Sequence, residues 1–405
     1  MHVTLLSLHT SPLAQPGTGD GGGMNVYVRC LATGLARAGV ECDVYTRADH
    51  HDLAPTLQIE PGFRVHHVKA GPVEAVAKEE LPGLVPKFTD AVEAHLKSTS
   101  GRPDVIHANY WLSGIAGHAL KHRLDVPLVT TFHTLALVKG EANDLEPASR
   151  AEAEAAIIGC SDTVLANTWV EAEQLVRLYG ADPARIEEAP LGVEHAFFSP
   201  GNRLGARAAV GLPLDRPIVL FVGRTQPLKG VDLAVSTLGA LSDRRAMLVI
   251  VGGPSGPHGD QQMADLHALI AAHGLGDRVR FVAPQPHHLL STYYRAADVC
   301  LVPSRSESFG LVALEASACG TPVVAAKVGG LQTIIEHRRT GFLVESRAPG
   351  EWAARVNEIL GNDELASAMG LNANARSHRY AWNYTAARLR RLYSDLCSRS
   401  LVTCR

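Results

Sequence analysis

The stretch PGTGDGGGMNVYV, Pro16–Val28, lies between an apolar run, VTLLSL, and a helical-looking run, NVYVRCLATGLARAG. Its first eight residues include Gly17, Gly19, Gly21, Gly22 and Gly23. So many glycines weaken a chain unless φ must be positive or another group must approach the backbone closely. Between a strand and a helix they build an anion site, because the first N–H groups of a helix lack partners and face the positive end of its dipole. Gly17-x-Gly19-x-x-Gly22 matches the dinucleotide fingerprint formally. The apolar run nevertheless ends near Leu8, too far upstream for the tight turn that fingerprint needs. A plain surface loop is the alternative reading, and the helix expected to start near Asn25 counts against it.

Outward from this loop, short Val/Ile/Leu-rich runs alternate with longer helical patterns. HVTLLSL, ECDVYT, VHHV, VIHA, PLVTTFH, TVLANT and IEEAPLG read as strands in the first half, and PIVLFVG, AMLVIVG, VRFVA, VCLVPS, TPVVAA and GFLV in the second. Buried parallel strands separated by helices make a doubly wound α/β sheet. The pattern occurs twice, and 405 residues suit two domains of about 200 each. The Pro- and Gly-containing stretch 190–213 reads as the linker. Domains are expected at 1–197 and 198–380, with 381–405 as a closing helix packing back toward the first domain.

The composition excludes several classes. With 46% hydrophobic and 20% charged residues, the chain is that of a globular protein. A net charge of -3 without basic runs argues against nucleic-acid binding. No apolar run approaches the roughly 20 residues that cross a membrane, and the N-terminus lacks a secretory pattern. Seven cysteines scattered without Cys-x-x-Cys suit reduced thiols in the cytoplasm. A homodimer is compatible with these numbers.

In open α/β sheets ligands bind beyond the carboxyl ends of the strands, so strand-end residues are site candidates. They are His9; His107, Asn109 and Tyr110; His133 and Thr134; and Arg224 with Lys229. The three strand-end histidines show no helical His-x-x-x-His spacing among themselves, which disfavours a metal triad. Arg224 and Lys229, five apart after a strand, suit a diphosphate clamp, the arginine as a bidentate donor and the lysine as a point charge. In ESFGLVALE, Glu307 and Glu315 flank an apolar segment, where scattered surface charge would be the plain alternative. Carboxylates accept well from vicinal hydroxyls, and Gly310 lets a helix start approach a phosphate or sugar oxygen.

These elements together resemble a retaining glycosyltransferase of the two-Rossmann (GT-B) type, in the large family that includes sucrose-phosphate synthase and the mycothiol glycosyltransferase. The resemblance covers nearly the whole chain, and HTSPLAQPGTGDGGGMNVYV, AKEELP, NYWLSG, VGRTQPLKG, GGPSG and ESFGLVALEASACGTPVVAAKVGGL are close to the mycothiol branch. It implies two doubly wound domains facing a cleft. It further implies that Gly23 and Asn25 lie against a donor diphosphate held by Arg224 and Lys229. Glu315 would take the ribose hydroxyls. Glu307 and the backbone of Phe309, Gly310 and Leu311 would hold the transferred sugar, with His133 touching it. Lys78, Tyr110, Thr134 and Arg150 match an acceptor-phosphate set.

The chain departs from the branch on the acceptor side. Asn109 replaces a histidine, AEAEAAIIG after Arg150 lacks the usual glutamines, and the loop KGEANDLEPASR is short. These departures tip the expected acceptor toward an antibiotic-pathway paralogue of lincosamide type, which joins a GDP-activated octose to ergothioneine. The alternative is N-acetylglucosamine transfer from UDP to inositol phosphate. Both acceptors are small anions. No cofactor or metal is expected beyond the nucleotide sugar, since no Asp-x-Asp stands at a strand end. Retention without an obvious carboxylate nucleophile suggests a front-face displacement, with domain closure excluding water. A two-Rossmann dehydrogenase would explain the glycines but not Arg224, Lys229, Glu307 and Glu315. A non-catalytic sugar-nucleotide binder would be expected to lack a site residue, and none is missing.

Overall fold

The computed structural model describes all residues except 18–20, 100, 142–143, 257–258 and 405. Gly19 and Asp20, in the middle of the fingerprint match, lie outside the described residues. The chain forms two compact units, one of Met1–Ala14, Gly23–Gly192 and Trp382–Arg405, the other of Gln15–Gly22 and Val193–Ala381.

The first unit holds β1 (His2–Leu6), β2 (Glu41–Arg47), β3 (Thr56–Glu60), β4 (Phe63–Val68), β5 (Val105–Asn109), β6 (Leu128–Thr131), β7 (Thr163–Ala166) and β8 (Ile186–Glu188). They form one sheet in the order β3-β4-β2-β1-β5-β6-β7-β8. Helices cover both faces, which is why Val3, Leu5 and Leu6 are fully buried and the runs read as continuously apolar. The expectation of parallel strands throughout fails at one edge. β3, TLQIE, pairs antiparallel with β4. It is too polar and too exposed to stand out as a buried strand, and the short turn at Gly62 (φ +80°) allows only a hairpin.

The second unit holds β9 (Ile218–Val222), β10 (Met247–Val251), β11 (Val279–Val282), β12 (Val299–Val302), β13 (Val323–Ala326) and β14 (Gly341–Val344). Their order is β11-β10-β9-β12-β13-β14 and every pair is parallel. In each sheet the winding direction reverses once, between β1 and β5 and between β9 and β12. Loops leaving the carboxyl ends of those strands part there and leave a crevice for a ligand.

Two segment assignments differ from expectation. The units divide at Gly192 and Val193 rather than at 197 and 198, because Val193 N donates to Tyr380 O (2.8 Å) and Val193 bridges Ala381 within the second unit. Gln15–Gly22 belongs to the second unit. Gln15 Nε2 donates to Pro284 O (3.0 Å), and Gly17 (φ +88°) rests against the Pro284 ring. The helix expected to pack back toward the first domain, Trp382–Cys397, lies in the first unit. It packs on helix Gly23–Arg37, where Gly34 leaves room: a Cβ there would lie 3.0 Å from Ala386 Cβ. The cysteines also differ from expectation, since Cys160 and Cys404, 244 residues apart in sequence, come into direct contact. Among the described residues no helix is long and apolar enough to cross a membrane.

Candidate active site

In the second unit, Gly223 leaves β9 with φ +146° and turns the chain so that Arg224 follows at the strand end. Arg224 Nη1 donates to Ser255 Oγ (3.3 Å), which also accepts from Gln226 Nε2 (3.0 Å). Gly22 belongs with this arginine, for a Cβ on it would meet Arg224 Nη2 at 3.8 Å. The glycine-rich loop thus supplies backbone beside a half-buried guanidinium.

Lys229 ends a short 3-10 turn, Pro227–Lys229, and its Nζ lies 2.7 Å from Glu307 Oε2. Ser304 Oγ donates to the same oxygen (3.2 Å). The loop carrying Glu307 follows β12 and is held rigidly. Gly330 N donates to Glu307 O (2.9 Å), and a Cβ on Gly329 (φ +45°) would fall 1.9 Å from that oxygen. Only glycine fits there. Gly310 (φ +103°) caps helix Leu311–Ala318, leaving the first-turn N–H groups without intrahelical partners. Phe309 is buried beneath them.

Glu315, one turn further on, is 4% exposed and engaged on both oxygens. Oε1 is 2.6 Å from His287 Nε2, and Tyr294 Oη donates to Oε2 (2.7 Å). Burial, reinforced by this carboxylate, pushes the Tyr294 hydroxyl well above its ordinary pKa, so it stays a donor. Any diol taken by Glu315 must use the remaining lone pairs or displace His287.

The first unit gathers the other candidates. Tyr110 (φ +75°) breaks the chain between β5 and helix Trp111–Leu124. Its ring lies 5.0 Å from Arg150 Cζ, 5.8 Å from Lys78 Nζ and 4.4 Å from the His9 ring. Arg150 is 1% exposed on helix Ala148–Cys160. Its Nε donates to Glu154 Oε1 (2.8 Å), and Nη2 donates to Thr134 O (2.9 Å) and Thr134 Oγ1 (3.0 Å). Nη1 makes an ion pair with Glu146 Oε1 (2.9 Å) without the alignment of a hydrogen bond. Burial opposes its charge, but Tyr110, Glu154 and Glu146 outweigh it and raise the pKa. Lys78 sits in a turn.

Asn25 is buried, and its Nδ2 donates to Thr10 Oγ1 (2.8 Å) and Ser11 O (2.6 Å). Its amide therefore ties the loop after β1 to the first turn of helix Gly23–Arg37. His107 belongs to the core. It is fully buried between Tyr393 Oη (2.8 Å) and Thr131 Oγ1 (2.9 Å). His133 adopts φ +63°, a left-handed conformation that a bulky residue holds only under constraint. Its Nε2 donates to Asn109 Oδ1 (3.0 Å), leaving the Asn109 Nδ2 buried without a partner. Burial, with the charges of His107 and His9, holds His133 at a pKa of about 3; burial alone does the same to His107.

Both imidazoles are neutral in the folded chain, against an ordinary value of 6.5, and take up protons on unfolding. The stability that this permits is complete above pH 6.5 and is lost as pH falls toward 3. Glu171, pushed up to about 7 by burial, acts in the opposite sense between 4.5 and 7, one carboxyl against two imidazoles. Urea unfolding should therefore show stability falling with pH below about 5, and His107→Gln should flatten that fall. An unchanged slope in the variant would contradict the assignment.

The residues that hold these groups are ones that sequence patterns had not singled out: Ser255, Ser304, His287, Tyr294 and Thr10. Glu154 alone carried a local signal, its i,i+4 spacing from Arg150 on one helix face.

Two Rossmann-like units, each with one reversal of winding, a pair of cations in one and a buried arginine seat in the other, fit a glycosyltransferase. Residues 22–192 match the family described as glycosyl transferase 4-like domain, and residues 203–376 match glycosyl transferases group 1. D-inositol 3-phosphate glycosyltransferase 2 of Catenulispora acidiphila is 46% identical over 403 residues, covering 97% of this chain and 94% of that protein. D-inositol 3-phosphate glycosyltransferase of Acidothermus cellulolyticus is 46% identical, covering 97% and 90%. Sucrose-phosphate synthase from Thermosynechococcus elongatus superposes with a TM-score of 0.91 at 34% identity, covering 98% and 99%. The chain belongs to the GT-B glycosyltransferases of group 1, in the branch that contains these inositol-phosphate relatives.

Proposed function

We propose that the chain transfers N-acetylglucosamine from its UDP-activated form to inositol phosphate, with retention at the anomeric carbon. The observation that carries the acceptor is the Arg150 seat. A buried guanidinium is fixed on two sides by Glu154 and Thr134 and ion-paired with Glu146 through Nη1 (2.9 Å), with Lys78 across the Tyr110 ring. A guanidinium and an ammonium beside one ring suit an anion, which accepts charge-assisted hydrogen bonds from both. The two relatives, named for inositol 3-phosphate at 46% identity, favour this acceptor over the ergothioneine expected from Asn109 and the short loop.

Arg224 and Lys229 hold the donor diphosphate and stabilise its charge as it leaves. The C1–O bond to the diphosphate breaks and the C1–O bond to the acceptor hydroxyl forms on the same face. The hydroxyl proton passes to a donor phosphate oxygen, so UDP departs carrying it. Neutral His133, its tautomer fixed by Asn109, offers the transferred sugar a hydrogen-bonding partner without a competing charge.

The test offers inositol phosphate, free inositol and ergothioneine, each with UDP-N-acetylglucosamine and with GDP-sugars. Turnover is expected with inositol phosphate and the UDP donor, and to be at least about 100-fold slower with free inositol. Preference for ergothioneine or for free inositol refutes the reading.

A further inference from the structure

Away from the transfer residues, four ligand-type side chains meet in the first unit. Helix Trp111–Leu124 carries His118 and His122, one turn apart on one face. Cys160 is the last residue of helix Ala148–Cys160, and Cys404 comes from the C-terminal tail. One ligand atom of each lies within 4.8 Å of all the others. Cys404 Sγ is 3.0 Å from His122 Nε2 and 3.4 Å from His118 Nε2, and it touches Cys160 Sγ.

We propose that His118, His122, Cys160 and Cys404 form a four-coordinate structural site for a zinc-class divalent cation, which pins the C-terminal tail to the first unit.

The ligand set is the first argument. Two thiolates and two imidazoles are a closed structural zinc set, and histidines four apart on a helix are a common half of one. Ligands about 2.0–2.3 Å from a tetrahedral ion stand roughly 3.3–3.8 Å from one another; the histidine–cysteine separations of 3.0 and 3.4 Å are near that spacing, and the two sulfurs, in direct contact here, part to it around the ion. Two thiolates also cancel the ion's charge, so the buried Cys160 acquires no net charge around it.

The surroundings are the second argument. The tail does not drift past but is led in: Val402 N donates to Asp162 Oδ1 (2.7 Å), and Lys121 Nζ donates to Val402 O (3.0 Å). Lys121, itself buried, also donates to Cys160 O (2.7 Å) and pairs with Asp162 (2.9 Å). Both cysteine-bearing segments are therefore fixed by one ion pair, Lys121–Asp162.

A Cys160–Cys404 disulfide is the rival. It uses only two of the four groups and gives no reason for two imidazoles to converge on one of its sulfurs.

The experiment uses the full chain, purified under argon with zinc present and reductant then removed. One equivalent of zinc per chain is expected. After denaturation with chelator, all seven cysteines should react as thiols. Replacing zinc by Co(II) should give the intense visible bands of a tetrahedral thiolate site. Cys404→Ser and His122→Ala should each abolish stoichiometric metal and the cobalt spectrum. Five reactive thiols, the number left free if Cys160 and Cys404 are bonded, with no metal bound, would establish the disulfide and overturn the proposal. Seven thiols in a chain that takes up neither zinc nor cobalt at micromolar concentration would overturn it too, as would metal content unchanged in both variants.

Discussion

Lys229→Ala and Arg224→Ala should each lower kcat/KM by about 100-fold or more, with Lys229→Ala the more damaging. On the proposed reading each removes a cationic donor whose interaction strengthens as the diphosphate leaves, and losing one such preorganised donor costs about 10²–10³ in turnover. The asymmetry follows from Glu307. Its Oε2 is 2.7 Å from Lys229 Nζ and, among the described residues, otherwise receives the neutral Ser304 hydroxyl. Without the lysine, a carboxylate faces the donor phosphates uncompensated. Arg224→Ala leaves Ser255 and Gln226 bonded to each other, two neutral groups that repel nothing. Lys229→Ala should therefore weaken UDP binding in calorimetry more than Arg224→Ala, and adding Glu307→Gln should recover part of that binding but not the turnover. Near-normal turnover in both single variants would remove the diphosphate role.

Arg150→Lys should raise the KM for the acceptor about 10-fold or more while leaving UDP binding unchanged. The fork that reaches Glu154 and Thr134 together cannot be reproduced by an ammonium, and a hydrogen bond to a charged group is worth about 1.5–3 kcal/mol. Arg150→Ala goes further. Glu154 is fully buried, and stripping it of its partner leaves an uncompensated charge, a loss of about 3–5 kcal/mol. That variant should melt markedly lower, whereas Arg150→Met with Glu154→Gln should recover stability but not acceptor affinity. Steady-state kinetics in each substrate, read beside thermal unfolding, separates the effects. A donor-binding defect in Arg150→Lys would refute the acceptor assignment.

Much was legible in the one-dimensional pattern, for a physical reason. Strands buried on both faces must be continuously apolar, so the buried strands of both sheets are visible as runs. Residues that follow such runs necessarily stand at the carboxyl edge of a sheet, so Tyr110, His133, Arg224 and Glu307 could be picked out without coordinates. β3 escaped because an exposed edge strand needs no apolar run. What the tertiary structure alone decided are the pairings across sequence distance. It assigned Gln15–Gly22 to the second unit through Pro284, turned His107 into a core residue under Tyr393, and occupied both oxygens of Glu315. The His118-x-x-x-His122 spacing stood in the sequence throughout. It acquired chemical meaning only when Asp162 and Lys121 brought Cys404 back across 244 residues to Cys160. Local pattern reports what one element must bury; which distant side chain completes a polar group is settled by packing, and packing leaves no local trace.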